Sequence, residues 1–220
     1  ASQIEDLGDA LSAVVNEHAN TLMAARTHAQ HAVPTTLGAT LATLLEEFSR
    51  HRNRLAQARQ RVSVISMAGA GGTSAAYGPQ AAEIRADAAR LLNLHDTAIP
   101  WHTARDNLAE FGHLYATIAA SCARIARNSV DLSRTEIAEV FERYDSHRGA
   151  SSTMPQKVNP ISSEAIIGLA QSVAGLASTM PRIQEATHER AAGEWQLEWE
   201  TLPQIAVLTG STVVETTSLI

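Results

Sequence analysis

Apolar residues recur at three- and four-residue steps through most of this 220-residue chain, and that spacing predicts helices almost throughout. Ile4, Leu7, Leu11, Val14 and His18 line one face of a helix expected over 3–32, and Pro34 breaks the pattern. Residues 37–65 carry a heptad-like stripe of Leu41, Leu44, Phe48, Leu55, Ala58, Val62 and Ile65, as in the long helices of a bundle. The run AGAGG at 68–72 and then Gly78-Pro79 interrupt the stripe, and a shorter helix is expected over about 80–93. Pro100 opens another long helix through about 131, with Leu108, Phe111, Leu114, Ile118, Cys122 and Ile125 on one face. Residues 143–160 lose the periodicity and collect Gly, Ser, Pro and Asn, a loop long enough to be functional. Asn159-Pro160 reads as the N-cap and first-turn proline of a helix running to about 180, and a last helix is expected from near 203. No strand pattern competes. The predicted fold class is all-α, a long-helix bundle with one domain over 1–220 that starts and stops inside amphipathic patterns and so reads as truncated at both ends.

Composition sharpens that picture. Hydrophobic residues make up 45%, charged residues only 18% and aromatics 4%, a mix suited to helices covered by other helices, so an oligomer is expected. The net charge of −6 comes from interspersed acids and bases and carries no nucleic-acid footprint. No apolar run reaches the ~20 residues that a membrane span needs. A single cysteine, Cys122, excludes an internal disulfide and a multi-cysteine metal site, and fits a reducing, cytoplasmic compartment. No His/Cys/Asp/Glu cluster has metal-ligand spacing, and no cofactor is implied. The glycines at 69–72 precede no strand–helix unit, so they form no phosphate loop, and close helix approach is the expected role. His18, His31 and His51 read as structural histidines, and Trp195 and Trp199, at i and i+4, as core or interface residues.

The densest chemistry lies in Gly149-Ala-Ser-Ser-Thr-Met-Pro-Gln-Lys-Val-Asn-Pro160. This segment is similar to the signature loop of the fumarase/aspartase superfamily, GSSxMPxKxNP, with Ala150 at its one departure. Arg26-Thr-His-Ala-Gln30 resembles the RTHxQ segment of that superfamily, and Ser133-Arg-Thr-Glu-Ile137 the stretch ahead of the loop. The resemblance implies the central helical domain of that fold and a β-elimination from a succinate-like acid. Removing a proton beside a carboxylate creates a dianionic aci-carboxylate, so the site needs a positioned base, cations and amide donors, and an acid for the leaving group.

By the resemblance, Ser151 is the base, and Lys157 and Asn159 bind the substrate carboxylate. His28 is the second catalytic residue, oriented by a glutamate thirteen residues after the serine; counting from Ser151 reaches Glu164. Whether His28 donates a proton or orders a water stays open. Thr27 and Gln30 resemble contacts to the second carboxylate, and Arg190 is a further substrate contact. The segments Pro100–Asp106 and His188–Pro203 look most like the 3-carboxy-cis,cis-muconate cycloisomerase branch. Adenylosuccinate lyases carry a serine and a phosphate-binding arginine where this chain has Trp195 and Trp199, so that substrate is disfavoured. Ala104 stands where both branches commonly have a glutamine. The expected function is a fumarate-releasing elimination from a modified aspartate such as nitrosuccinate. The alternatives are lactonising cycloisomerisation and, behind both, adenylosuccinate cleavage or an inactive structural relative.

The same resemblance implies a homotetramer acting on a small dicarboxylate, with each site assembled from several subunits. His28 and Ser151 of one chain then belong to different sites. The signature loop, about 146–158, is expected to be mobile without ligand and to order over a bound dicarboxylate.

Overall fold

The computed structural model describes residues 2–143, 154, 157–190 and 192–220. Most of the expected loop at 146–158, including Ser151, lies outside the described residues. Among those described, six α-helices and one β-hairpin follow in the order α1 (Ser2–Glu17), β1 (Leu22–Thr27), β2 (Gln30–Thr36), α2 (Leu37–Val62), α3 (Ala81–Leu92), α4 (Asp106–Leu132), α5 (Ile161–Ala177) and α6 (Glu194–Leu219). The chain divides into two compact units. The first comprises residues 1–53, 116–174 and 207–220, and the second residues 54–115 and 175–206.

In the first unit, Leu7 and Leu11 of α1, Leu44 and Phe48 of α2, Ile118 and Cys122 of α4, Ile166 and Val173 of α5 and Val213 of α6 are buried. In α1, α2 and α4 their three- and four-residue spacing is the amphipathic stripe read from the sequence. Burial raises the Cys122 thiol to about 12, so the group behaves as a small hydrophobe. One polar tie crosses this core. His51 Nε2 lies 2.8 Å from Ser121 Oγ, Ser121 donates to Glu47 Oε1 at 2.5 Å, and Arg124 donates to Glu47 Oε2 at 2.8 Å. Since the hydroxyl hydrogen goes to Glu47, Ser121 accepts from His51, and Nε2 carries the hydrogen. The residue types are those of a nucleophilic triad, but the carboxylate binds the serine instead of the imidazole. The serine is also buried. The arrangement joins α2 to α4, and His51 is structural as read.

The helix expected over 3–32 is corrected. α1 stops at Glu17, and a turn closed by His18 and Thr21 leads into an antiparallel hairpin. His28 and Ala29, with φ of 51° and 60°, form its two-residue turn between Thr27 and Gln30. Two successive left-handed residues make the type I′ geometry that matches strand twist. Neither is Asn or Gly, which is why the sequence carried no hairpin signal. Pro34 pairs with Ala24 without harm, because in a two-stranded ribbon every strand is an edge.

The second unit buries Ala58, Ile65, Ala68, Ala89, Ala109, Met180, Ile183 and Ile205. On this stretch of α4 the buried line runs through Ala109 and Gly112, with Met180 against Gly112, while Leu108, Phe111 and Leu114 are only half-buried. The glycines at 69–72 lie in a loop rather than at a helix crossing. Gly72, at φ 76°, stands so close to His102 that a Cβ would come within 3.1 Å of that side chain. Two further boundaries change. α4 begins at Asp106, not at Pro100. α6 begins at Glu194 rather than near 203, because Pro203 sits inside the helix on its exposed side.

Arg85 of α3 is buried and donates to Asp96 at 2.5 Å and to the Thr97 carbonyl at 2.9 Å. That hydrogen bond, aided by the Thr97 N–H, holds the Asp96 carboxyl below its ordinary range against the opposing effect of desolvation. A lowered folded-state value means stability that is fully present above the ordinary carboxylate range and lost as pH falls from that range through the lowered value. Asp96→Asn should therefore melt below the wild type at about pH 7, with the gap closing towards about pH 3, in thermal melts across that range. A gap that did not depend on pH would remove the ion pair as its cause.

Candidate active site

The hairpin presents three of the expected site residues together. Thr27 and Gln30 are paired at its tip, His28 occupies the turn, and all three side chains are exposed. Arg26, one residue before, anchors this tip. Its guanidinium donates to Glu139 at 2.9 and 2.5 Å, to the Ala24 carbonyl at 3.3 Å, and lies 3.2 Å from His31. The hydrogen bond to Arg26 holds the Glu139 carboxyl below its ordinary range. The bidentate pair ties the hairpin to the segment that leads into the signature loop. His31, read as structural, serves in this anchor.

A second group gathers at the start of α5. Asn159 and Pro160 precede the helix, Glu164 lies in its first turn, and Lys157 is exposed just ahead of it. The first turn is capped from a distance. Glu142 accepts from the Ser162 N–H at 3.1 Å and from the Ser163 N–H at 2.8 Å. A carboxylate on free N–H groups at a helix N-terminus is favoured by hydrogen bonding and by the helix dipole. Sequence reasoning missed Glu142 and Glu139. Both act on residues far along the chain, and no local spacing marks such pairs.

Among the described residues no hydrogen bond joins His28 to Glu164, so the orienting pair expected from the resemblance is not formed within this chain. Both side chains are exposed. Two clefts of the first unit, of about 590 and 250 Å³, are lined by none of the expected site residues. Arg190 belongs to the second unit, where its Nε donates to the His102 carbonyl at 3.4 Å and its guanidinium lies 4.0 Å over the Trp195 ring. Trp195 and Trp199 are not core residues: Trp195 is half-buried, and Trp199 is 53% exposed. Among the described residues no three His, Cys, Asp or Glu side chains gather as a metal site would require. None of the described helices is long and apolar enough to cross a membrane.

Known proteins decide the family. The lyase family matches residues 1–175. The chain belongs to the fumarase/aspartase superfamily of lyases. Within it, this lyase-family chain falls in the cycloisomerase-like branch. It is 42% identical to the 3-carboxy-cis,cis-muconate cycloisomerase of Pseudomonas aeruginosa, over 99% of the chain and 47% of that protein. It is 36% identical to the N-acetyl-S-(2-succino)cysteine lyase of Dickeya dadantii, over 90% of the chain and 43% of that protein. Its fold superposes on the crystal structure of the 3-carboxy-cis,cis-muconate lactonizing enzyme of Pseudomonas putida with a TM-score of 0.91 and 38% identity, covering 99% of the chain and 48% of that structure. The chain thus spans about half the length of these relatives.

Proposed function

We propose that the protein is a cycloisomerase that closes 3-carboxy-cis,cis-muconate to its lactone. The observation that carries this reading is the 42% identity to a cycloisomerase over nearly the whole chain. It gains weight from a sequence that keeps Ser151, Lys157, Asn159, His28 and Glu164 together. Ring closure is β-elimination run in reverse. A carboxylate oxygen bonds to one alkene carbon, and a proton joins the neighbouring carbon beside a carboxylate, so atoms and charge balance through the same aci-carboxylate. The group that would remove this proton in an elimination is the group that delivers it here. We assign that role to Ser151, with Lys157 and Asn159 holding the carboxylate on which charge develops. His28 stands exposed at the tip of a turn pinned by Arg26 and Glu139, which leaves it free to meet a segment from another subunit. The first turn of α5, capped by Glu142, sets Glu164 in a defined place for the same purpose. Cytoplasmic homotetramers with sites shared between subunits fit this division of residues.

A fumarate-releasing elimination remains the second reading. Similarity to an N-acetyl-S-(2-succino)cysteine lyase favours a succinyl thioether over the nitrosuccinate-type substrate first expected from the sequence. One assay separates the two. The full-length protein is expected to consume 3-carboxy-cis,cis-muconate, followed by loss of diene absorbance, at a kcat/KM at least ~10² above that for succinyl thioethers or nitrosuccinate. Fumarate release from either succinate, with the muconate untouched, would reverse the assignment.

A further inference from the structure

Arg190 is held in an unusual way for a surface arginine. Its backbone lies in the left-handed region, φ 79°, in the turn ahead of α6, and His188 two residues before is also left-handed, φ 52°. Non-glycine residues take such conformations at a cost that the surroundings must meet, and they collect at functional sites. The guanidinium face rests on Trp195 with its Cζ 4.0 Å from the ring centroid. Trp195 is braced in turn by Trp199, the centroids 4.6 Å apart and the planes at 64°. The Nε hydrogen bond goes to the carbonyl of His102, a residue 7% exposed whose ring is seated against Gly72. Among the described residues neither ring nitrogen of His102 has a hydrogen-bond partner, a rare state for a buried imidazole and one associated with functional sites.

Charge pairing separates Arg190 from its neighbours. In the same unit Arg105 is neutralised by Glu198 at 2.6 and 2.5 Å, Arg85 by Asp96, and Arg61 by Glu110. Arg190 has no carboxylate partner among the described residues. Stacking occupies the guanidinium face and Nε is committed, so the two terminal nitrogens are left on one edge. An edge with two parallel N–H donors matches a planar carboxylate.

We propose that Trp195 is a positioning residue for substrate recognition: its indole face sets the plane of Arg190, whose free edge receives a carboxylate of a compact polycarboxylic acid. This rests on the proposed function for the identity of the acid, but not for the carboxylate. Trp199, packed edge-on against Trp195, adds an apolar ring to this wall and not a second cation.

The test uses the full-length protein and tricarballylate, a saturated tricarboxylate that cannot react. Calorimetric titration is expected to show binding to the wild type, about tenfold weaker binding to Trp195→Leu, and affinity within about threefold of wild type for Trp195→Phe, which keeps an aromatic face. With the muconate substrate, Trp195→Leu should raise KM by a similar factor and leave kcat within about threefold. Far-UV circular dichroism checks that the variants fold. Should Trp195→Leu fail to fold, Arg190→Lys takes its place, since an ammonium cannot present a fixed edge and should lose the same factor. Unchanged tricarballylate affinity in the folded Leu or Lys variant would overturn the proposal, as would Phe being as impaired as Leu, or a wild type that does not bind tricarballylate. Absence of muconate turnover beside intact, Trp195-dependent tricarballylate binding would instead count only against the cycloisomerase reading.

Discussion

Replacing Ser151 by alanine should lower kcat by ~10²-fold or more, since a positioned proton-transfer group contributes about 10²–10⁴. Binding of the polycarboxylate should persist, because the contacts proposed for Lys157 and Asn159 are kept. Lys157→Ala is expected to differ by weakening binding and turnover together, its charge being used in both ground and transition states. Ser152→Ala is the internal control, a neighbouring hydroxyl to which the resemblance gives no proton. Steady-state kinetics of the three variants on one substrate separate these roles. Near-normal turnover in Ser151→Ala with loss in Ser152→Ala would move the assignment by one residue. Activity in both would end the serine mechanism for this protein.

The largest effect on stability is expected at Gly38, in the first turn of α2. A Cβ there would lie 2.6 Å from the Val15 carbonyl oxygen, 2.8 Å from the Ala19 Cα and 2.8 Å from the His18 carbonyl oxygen. All three atoms are backbone, so no side chain can swing aside. The Gly38 N–H also donates to the His18 carbonyl at 2.9 Å, and the Leu37 N–H to the Thr21 carbonyl at 2.9 Å. Alanine must therefore push α2 away from the turn that starts the hairpin, at about 3 kcal/mol, the upper range for overpacking. For a chain of this size that lowers the melting midpoint by about 10 °C. Gly8→Ala is the matched control. Gly8 sits inside α1 with nothing within 4 Å of a new Cβ, and the change should be neutral or stabilising by about 0.5–1 kcal/mol. Equal melting points for the two variants would remove the close approach as the reason for glycine at 38. The same clash is expected to reach the proposed site, because the strands that begin at this turn carry Thr27, His28 and Gln30 at their far end.

Much of the helical framework could be read directly from the residues. The stripes in α1 and α2 follow the helical period, and Leu7, Leu11, Leu44 and Phe48 are buried where the spacing puts them. The signature segment at 149–160 and the RTHAQ segment carry the resemblance to the superfamily in the sequence alone. Three features depended on the tertiary structure. The hairpin at 22–36 has a turn of His28 and Ala29, whose left-handed backbone is set by the flanking pairing and by the Arg26–Glu139 anchor, not by local propensity. Pro203 lies inside α6 on its exposed side, although its missing N–H makes proline commonest at a helix start.

The last class consists of pairs distant in sequence. Glu142 caps a helix that begins nineteen residues later, Arg26 meets Glu139 across more than a hundred residues, and Arg190 donates to the carbonyl of His102 across 88 residues. Sequence alone determined which polar and charged residues this chain carries in the RTHAQ and signature segments. Only folding decided which of them are held, and by what, because a side chain's orientation follows from partners that chain order does not disclose.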